Sequence, residues 1–361
     1  MRFALDDGQV AFGQVLGRMF AAADVPAAVR AWGRGEHGPG LALWRRAVEA
    51  DVFALAAPQG YGGLGPLPVE LGVAFVESGR HCVPGPLVET VAVTALLVRL
   101  AESGEQAPAK EWVPRLCTGR ARATLAAPAG GPYALDADAA DAVFSVTGID
   151  GTTDGGAPAW AYGRQGPDTT AAGAGGRAEL RLAPGHGPVR ASLDPARRLA
   201  RPSPGGELLA AGPAVRDAAA HAADWAAFAT AAQALGVGLA LLDRTVAYAG
   251  QRVQFGRPIG SFQAVKHRLA DTLIGLEFAR PLLYGAAVAL AARTPDAPAA
   301  VAAAKVAACE AAYAAARSAL QVHGAIGYTA EYDLSLWIGK ARALLSAWGG
   351  PEDCRRKVLH M

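Results

Sequence analysis

Residues 119–205 constrain the fold more than any other stretch, because they hold no helical period longer than a turn or two. They are rich in Gly, Pro and Asp and include the runs Asp150-Gly-Thr-Thr-Asp-Gly-Gly and Ala171-Ala-Gly-Ala-Gly-Gly. Such residues favour turns, and the short apolar runs Ala123–Ala127 and Ala142–Val146 between them read as strands. On either side the pattern is helical. Val10, Phe12, Val15, Leu16, Met19 and Phe20 recur at three- and four-residue spacing, which predicts an apolar helix stripe. Further helices are expected over Leu41–Asp51, Val69–Gly79 and Val88–Glu102. After the break come Ala210–Gly250 as one or two helices, then Phe262–Ala292, Pro298–Val322 and a last pair after Tyr328. Alanine on every face of these helices points to a bundle interior, and Gly236 and Gly238 allow close approach. The expected organisation is mainly α with a middle β domain: a helical domain over 1–118, a small β domain over 119–205 and a helical bundle over 206–361.

Composition removes several classes. Hydrophobic residues make up 52% and charged residues 18%, too apolar for a disordered chain. The 34 basic and 32 acidic residues leave a net charge of +2, which gives no field to hold nucleic acid. Five lysines against 29 arginines is a compositional bias, so an arginine by itself marks no anion site. Cys82, Cys117, Cys309 and Cys354 lie far apart without a C-x-x-C pair, and buried thiols are expected. The seven histidines form no local metal motif. The start, Met1-Arg-Phe-Ala-Leu-Asp-Asp, does not read as a secretory signal. No membrane-like run of 18 uncharged apolar residues stands out, since Phe228–Leu242 is short and interrupted by Gln233 and Gly236. A soluble, cytoplasmic protein with neither membrane nor nucleic acid as partner is expected.

The most informative stretch is Tyr248-Ala-Gly-Gln-Arg-Val-Gln-Phe-Gly-Arg-Pro-Ile-Gly-Ser-Phe-Gln-Ala-Val-Lys-His-Arg-Leu-Ala-Asp271. The second, Gln321-Val-His-Gly-Ala-Ile-Gly-Tyr-Thr-Ala-Glu-Tyr-Asp333, follows it. Together they resemble the flavin-dependent acyl-CoA dehydrogenase family, whose motifs are R-x-Q-F-G-x-x-I-x-x-F-Q-x-x-x-H-x-L-A-D and Q-x-H-G-G-x-G-[FY]-T-x-E. Pro58-Gln-Gly-Tyr-Gly-Gly-Leu-Gly is similar to the family's P-E-x-Y-G-G-x-G loop, and Leu193-Asp-Pro-Ala-Arg-Arg-Leu-Ala to the end of the middle domain in short bacterial members. The resemblance covers nearly the whole chain. It implies an N-terminal helical domain, a β-barrel-like middle domain and a C-terminal four-helix bundle.

The resemblance also implies roles. Arg252 would offer a guanidinium fork to the pyrophosphate of FAD. Phe255 and Gly256 would form a break where ring and backbone approach the flavin, and Gln263 would hydrogen-bond the cofactor. Gln321, Gly324 and Ala325 match the stretch that meets the adenosine end of FAD on a neighbouring subunit. Ala325 stands where the family has Gly, and its methyl group would crowd that approach. Lys266 and His267 read as an ordinary helix face. A dimer or tetramer is implied, as is the alternative of a heteromer with a second dehydrogenase-like chain.

The departures concern the reaction itself. The family removes an α-proton from an acyl thioester with a carboxylate and passes the β-hydride to FAD. Counting from the last motif places the usual base at Trp348, and counting back from Phe255-Gly256 places the alternative base at Ala226. Neither accepts a proton. Asp224 belongs to a different helix face from Ala226, Glu352 lies beyond Gly349-Gly-Pro, and Glu277 and Glu331 sit where relatives also have acids. None is assigned as base. The family's T-E-x-x-x-G-S-D-like loop is replaced by Ala123-Thr-Leu-Ala-Ala-Pro-Ala-Gly-Gly-Pro-Tyr, and Trp160 could bring an aromatic to the flavin. Three readings stand. The chain is a flavoenzyme desaturating an acyl thioester on CoA or a carrier protein, a silent subunit of a heteromeric dehydrogenase, or a flavin-independent member repurposed in secondary metabolism.

Overall fold

The structure, a computed structural model, describes residues 4–149 and 177–359. Trp160 and the glycine-rich runs at 150–156 and 171–176 lie outside the described residues.

The N-terminal part is built from α1 (Asp7–Ala21), α2 (Val25–Gly33), α3 (Gly38–Glu49), α4 (Pro68–Arg80), α5 (Leu87–Glu102) and α6 (Ala107–Cys117). A reciprocal capping box starts α1: Gln9 N–H donates to Asp6 at 2.8 Å and Asp6 N–H to the Gln9 side chain at 3.1 Å. The expected stripe on this helix splits. Leu16 and Phe20 are buried, Phe12 and Met19 pack from the edge, and Val10 and Val15 face outward. In α5 almost every side chain is buried, Glu89 included.

The middle part holds β1 (Ala123–Ala126), β2 (Ala134–Leu135), β3 (Ala142–Thr147), β4 (Glu179–Leu182), β5 (Leu199–Ala200) and β6 (Glu207–Ala211). Among the described residues they form a four-stranded sheet in the order β1-β3-β4-β6 and a two-stranded β2–β5 ribbon. β1 runs parallel to β3, while β3–β4 and β4–β6 are antiparallel. The last strand lies past residue 205, and Ala210 pairs with Leu180 rather than opening a helix. Helix begins at Pro213, where a missing N–H costs nothing.

The C-terminal part holds α7 (Pro213–Gln251), α8 (Gln263–Ala292), α9 (Ala297–His323), α10 (Leu334–Leu344) and α11 (Pro351–Leu359). The stretch expected as one or two helices is the single 39-residue α7. Its glycines set its contacts. A Cβ on Gly236 would lie 1.9 Å from the Val76 carbonyl oxygen, and one on Gly79 2.0 Å from that of Gln233, so α4 and α7 meet backbone to backbone. A Cβ on Gly238 would lie 2.5 Å from Leu276 of α8 and 3.1 Å from Ala312 Cα of α9. α7 is therefore a central spine, with α4 and α5 packed against it as well as α8 and α9. Although no such run stood out in the sequence, α7, α8 and the helical stretch from α9 to Tyr328 are long and apolar enough to cross a membrane by length and composition. In α7 that apolar stretch is wholly buried within the protein. All four cysteines are buried and free, as their spacing suggested.

Candidate functional site

The first motif closes α7 and opens α8 through a hairpin. Strands β7 (Val253–Gln254) and β8 (Arg257–Pro258) pair, with Phe255 and Gly256 as the two-residue turn. Both turn residues have positive φ, 53° and 76°, as a type I′ hairpin turn requires. Glycine adopts this freely, but a phenylalanine there is an outlier. Phe255 is 91% exposed, which rules out a core role for its ring. Phe262 lies edge-on to it at 6.2 Å, with the Arg257 guanidinium 4.2 Å from the Phe262 ring. Arg252 caps α7 and is exposed, as are Gln263, Lys266 and His267 at the start of α8.

The second motif ends α9. Gly324 (φ +68°) stops the helix, and a 3₁₀ turn runs from Gly324 to Tyr328. Gln321, Gly324 and Ala325 are exposed. Tyr248, one turn before Arg252, stacks on His323 at 4.0 Å, so the ends of α7 and α9 are adjacent. Gln321 and Gly324 line a cavity of about 550 Å³ with Arg268, Arg317, Ser318 and Tyr328. A hydrogen bond between Thr272 and Ser318, at 3.2 Å, pins α8 to α9 beneath it. Arg268 and Arg317 form no ion pair among the described residues; Arg268 stands at an unspecified position of the first motif and Arg317 lies before the second. Arg252, Phe255 and Gln263 do not line this cavity. A Cβ on Gly324 would meet nothing within 4 Å, so backbone conformation and not crowding requires glycine there.

Outside this face, α8 presents Leu273, Ile274, Phe278 and Leu282 to solvent. Residues 274, 278 and 282 follow one another at four-residue spacing, an apolar stripe without a partner in the described chain.

The two positions reached by counting for a base are both inside the protein. Ala226 is fully buried. Trp348 is 6% exposed, with φ +54°, and its indole N–H donates to Glu89 Oε1 at 3.1 Å. Glu89 is buried in α5, and burial raises its pKa, opposed by the charge of Arg197 and the Trp348 hydrogen bond. Trp348 forms part of the wall of a cavity of about 570 Å³, with Gly130, Ala223, Ala227 and Val301 among its other lining residues. Asp224 also lines this cavity, and it pairs with Lys357 of α11. Glu277 and Glu331 are exposed, the former paired with Arg280 at 2.8 Å; Glu352 is exposed at the cavity rim. Sequence reasoning passed over Glu89. Its signal was an acid inside the apolar run Leu87-Val-Glu-Thr-Val-Ala-Val.

Comparison with known proteins shows the family and the fold. Residues 216–361 match the family model described as acyl-CoA dehydrogenase, C-terminal domain, and residues 14–120 match its N-terminal domain counterpart. The acyl-CoA dehydrogenase IpdE2 of Mycobacterium tuberculosis is 33% identical over 335 residues, covering 92% of this chain and 90% of that protein. IpdE2 of Mycolicibacterium smegmatis is 32% identical over 334 residues, covering 92% of each. In fold, the chain is similar to a structure of the ChsE4–ChsE5 complex from Mycobacterium tuberculosis, with a TM-score of 0.79 and 24% identity over 100% of this chain and 98% of that one.

Proposed function

Because the chain belongs to the acyl-CoA dehydrogenase family, we propose that it is a subunit without a base in an acyl-thioester dehydrogenase, cradling FAD for a site whose carboxylate lies on a second, related chain. The reaction of the assembly is α,β-desaturation of an acyl thioester. Bound FAD supplies the hydride acceptor. The observation that carries the reading is Trp348: the position counted for the base holds a buried indole hydrogen-bonded to Glu89.

The residues that suit a flavin dinucleotide are those on the outward face. Arg252, Arg268 and Arg317 are guanidiniums without a carboxylate partner among the described residues, suited to a pyrophosphate. Gln321 and the open backbone at Gly324 offer polar groups beside Arg268 and Arg317, and Phe255 offers an exposed ring. Gln263 and Ala325 lie on the same exposed segments. A face that serves a neighbour must be exposed in a single chain, and this one is. On the inward side no carboxylate stands at either base position, and the Pro128–Gly131 loop lacks the acid and the Gly-Ser-Asp of the motif. The chain's residues thus bind and orient the nucleotide end, while proton removal falls to the partner. The two-chain composition of the ChsE4–ChsE5 complex supports an assembly of this kind.

Flavin absorbance tests the reading. The chain expressed alone is expected to be colourless, and the complex co-expressed with a dehydrogenase-like chain that carries the Glu is expected to hold FAD and desaturate thioesters. Arg252→Ala and Phe255→Ala in this chain should release flavin from the complex without unfolding either subunit. Stoichiometric FAD and turnover by this chain alone would overturn the proposal.

A further inference from the structure

The Trp348 turn is held from three directions. Its φ of +54° is an outlier for a bulky residue, and such conformations persist where the surroundings over-determine them. From α5, Glu89 Oε1 accepts the indole N–H, while its Oε2 has no partner. From the sheet domain, Gly130 lies under the ring: a Cβ there would meet the indole at 3.0–3.1 Å. From α9, Lys305 Nζ donates to the carbonyl of Gly349 at 2.8 Å and reaches that of Leu344 at 3.5 Å, bracketing Trp348 on both sides. Lys305 is 1% exposed and has no carboxylate partner among the described residues. A buried amine is costly to leave without acceptors, and here the Gly349 and Leu344 carbonyls supply them. Cys309 adds a contact to the Leu344 carbonyl at 3.5 Å.

We propose that Trp348 seals this chain's own cavity, forming a fixed wall that admits no acyl group past the indole, with Glu89 and Lys305 as the residues that hold it closed. The inference rests on the reading above, that this chain carries no base. A baseless site that still took up acyl groups would withdraw substrate from the productive one. The seal removes that competition, and it converts a strained turn and two buried polar side chains into a specificity device.

Acyl-CoA binding to the full chain, purified alone, tests this without any substitution. An open apolar cavity gains roughly fourfold in affinity per buried methylene. For the sealed chain, butyryl-CoA and octanoyl-CoA are expected to bind equally weakly or not at all. Affinity that climbs fourfold per methylene would overturn the seal. In the variant Trp348→Gly, free indole should bind and raise the Tm, because an apolar void of that shape takes an apolar guest. A folded Trp348→Gly protein that ignores indole would also overturn it. Failure of the subunit reading is seen separately, as thioester turnover by this chain alone.

Discussion

Tyr248 and His323 lie face to face, with ring centroids 4.0 Å apart and planes inclined by 24°. This contact joins the last turn of α7 to the last turn of α9 and so holds the Arg252 hairpin beside the Gly324 turn. His323 is fixed from its other side, where Nδ1 lies 2.8 Å from the Ala319 carbonyl oxygen. Burial lowers the His323 pKa, opposed by the hydrogen bond to the Ala319 carbonyl. Tyr248→Ala should cost about 1–2 kcal/mol in urea unfolding, the stack accounting for about 0.5–1.5 of it. Tyr248→Phe keeps the ring and should stay within about 0.5 kcal/mol of the wild type. In the co-expressed complex the alanine variant should also lose flavin, since the two halves of the cradle would no longer be held in register.

Helix boundaries were legible where periodicity was long. α8 and α9 lie within a residue of their expected starts and ends, and α5 differs only at its first residue. α2 and α6 were not named in advance; Pro26 and Pro108 sit in their opening turns, and Pro114 is accommodated inside α6. The motif residues could be named because two long stretches resemble the family's motifs position by position. Glu89 and Lys305 could not. α5 is apolar all round, so its pattern marks no face for the acid, and a lone lysine in the Ala-rich α9 reads as solvent-facing until the Gly349 carbonyl is found against it. An acid inside an apolar run marks Glu89 as unusual, but which distant residue it meets leaves no local trace.

Asp136 makes stability depend on pH in a direction opposite to the usual one for carboxylates. It is fully buried, and although Trp32 Nε1 donates to its Oδ1 at 3.0 Å and the Arg198 N–H at 3.2 Å, Oδ2 has no partner. Burial, with Trp32 and Arg198 opposing it, lifts its pKa from the ordinary 3.8 to about 7. The folded state therefore holds a proton that the unfolded chain releases, and stability falls as pH rises from about 4 to about 7. Asp136→Asn keeps the acceptor and removes the charge. Its stability relative to wild type should rise across that window by a few kcal/mol, at roughly 1.4 kcal/mol per pKa unit. Chemical denaturation at pH 4.5 and pH 7.5 measures this; a difference independent of pH would contradict it.

Lys340 and Asp194 form a buried ion pair, Nζ to Oδ2 2.8 Å, between α10 and the segment that follows β4. Asp194 also accepts the Ala196 N–H at 3.0 Å, shaping that segment from within. Removing one partner leaves the other charge buried and alone. Lys340→Met should therefore cost about 3–5 kcal/mol. The double variant Lys340→Met/Asp194→Asn should recover much of that loss, and a double-mutant cycle in guanidinium measures the coupling. Strictly additive single costs would mean that the two charges do not stabilise one another.

The stripe on α8 bears on assembly. Ile274, Phe278 and Leu282 succeed one another along one helix face, and Phe278 is 72% exposed. No element of the described chain covers them, whereas the opposite face of α8, with Leu276, Ala279 and Leu283, is buried. A solvent-facing aromatic flanked by aliphatics on a helix gains by meeting a similar surface, at about 25 cal/mol for each Å² of apolar area covered. A single carboxylate at the centre of the stripe should block that meeting while leaving the buried face intact. Phe278→Asp is expected to keep the helical circular dichroism of the wild type and to run as a smaller species in light scattering, with flavin lost from any complex that depends on this face. If mass and flavin content are unchanged by the substitution, subunits meet elsewhere and the stripe is bare in the assembled protein.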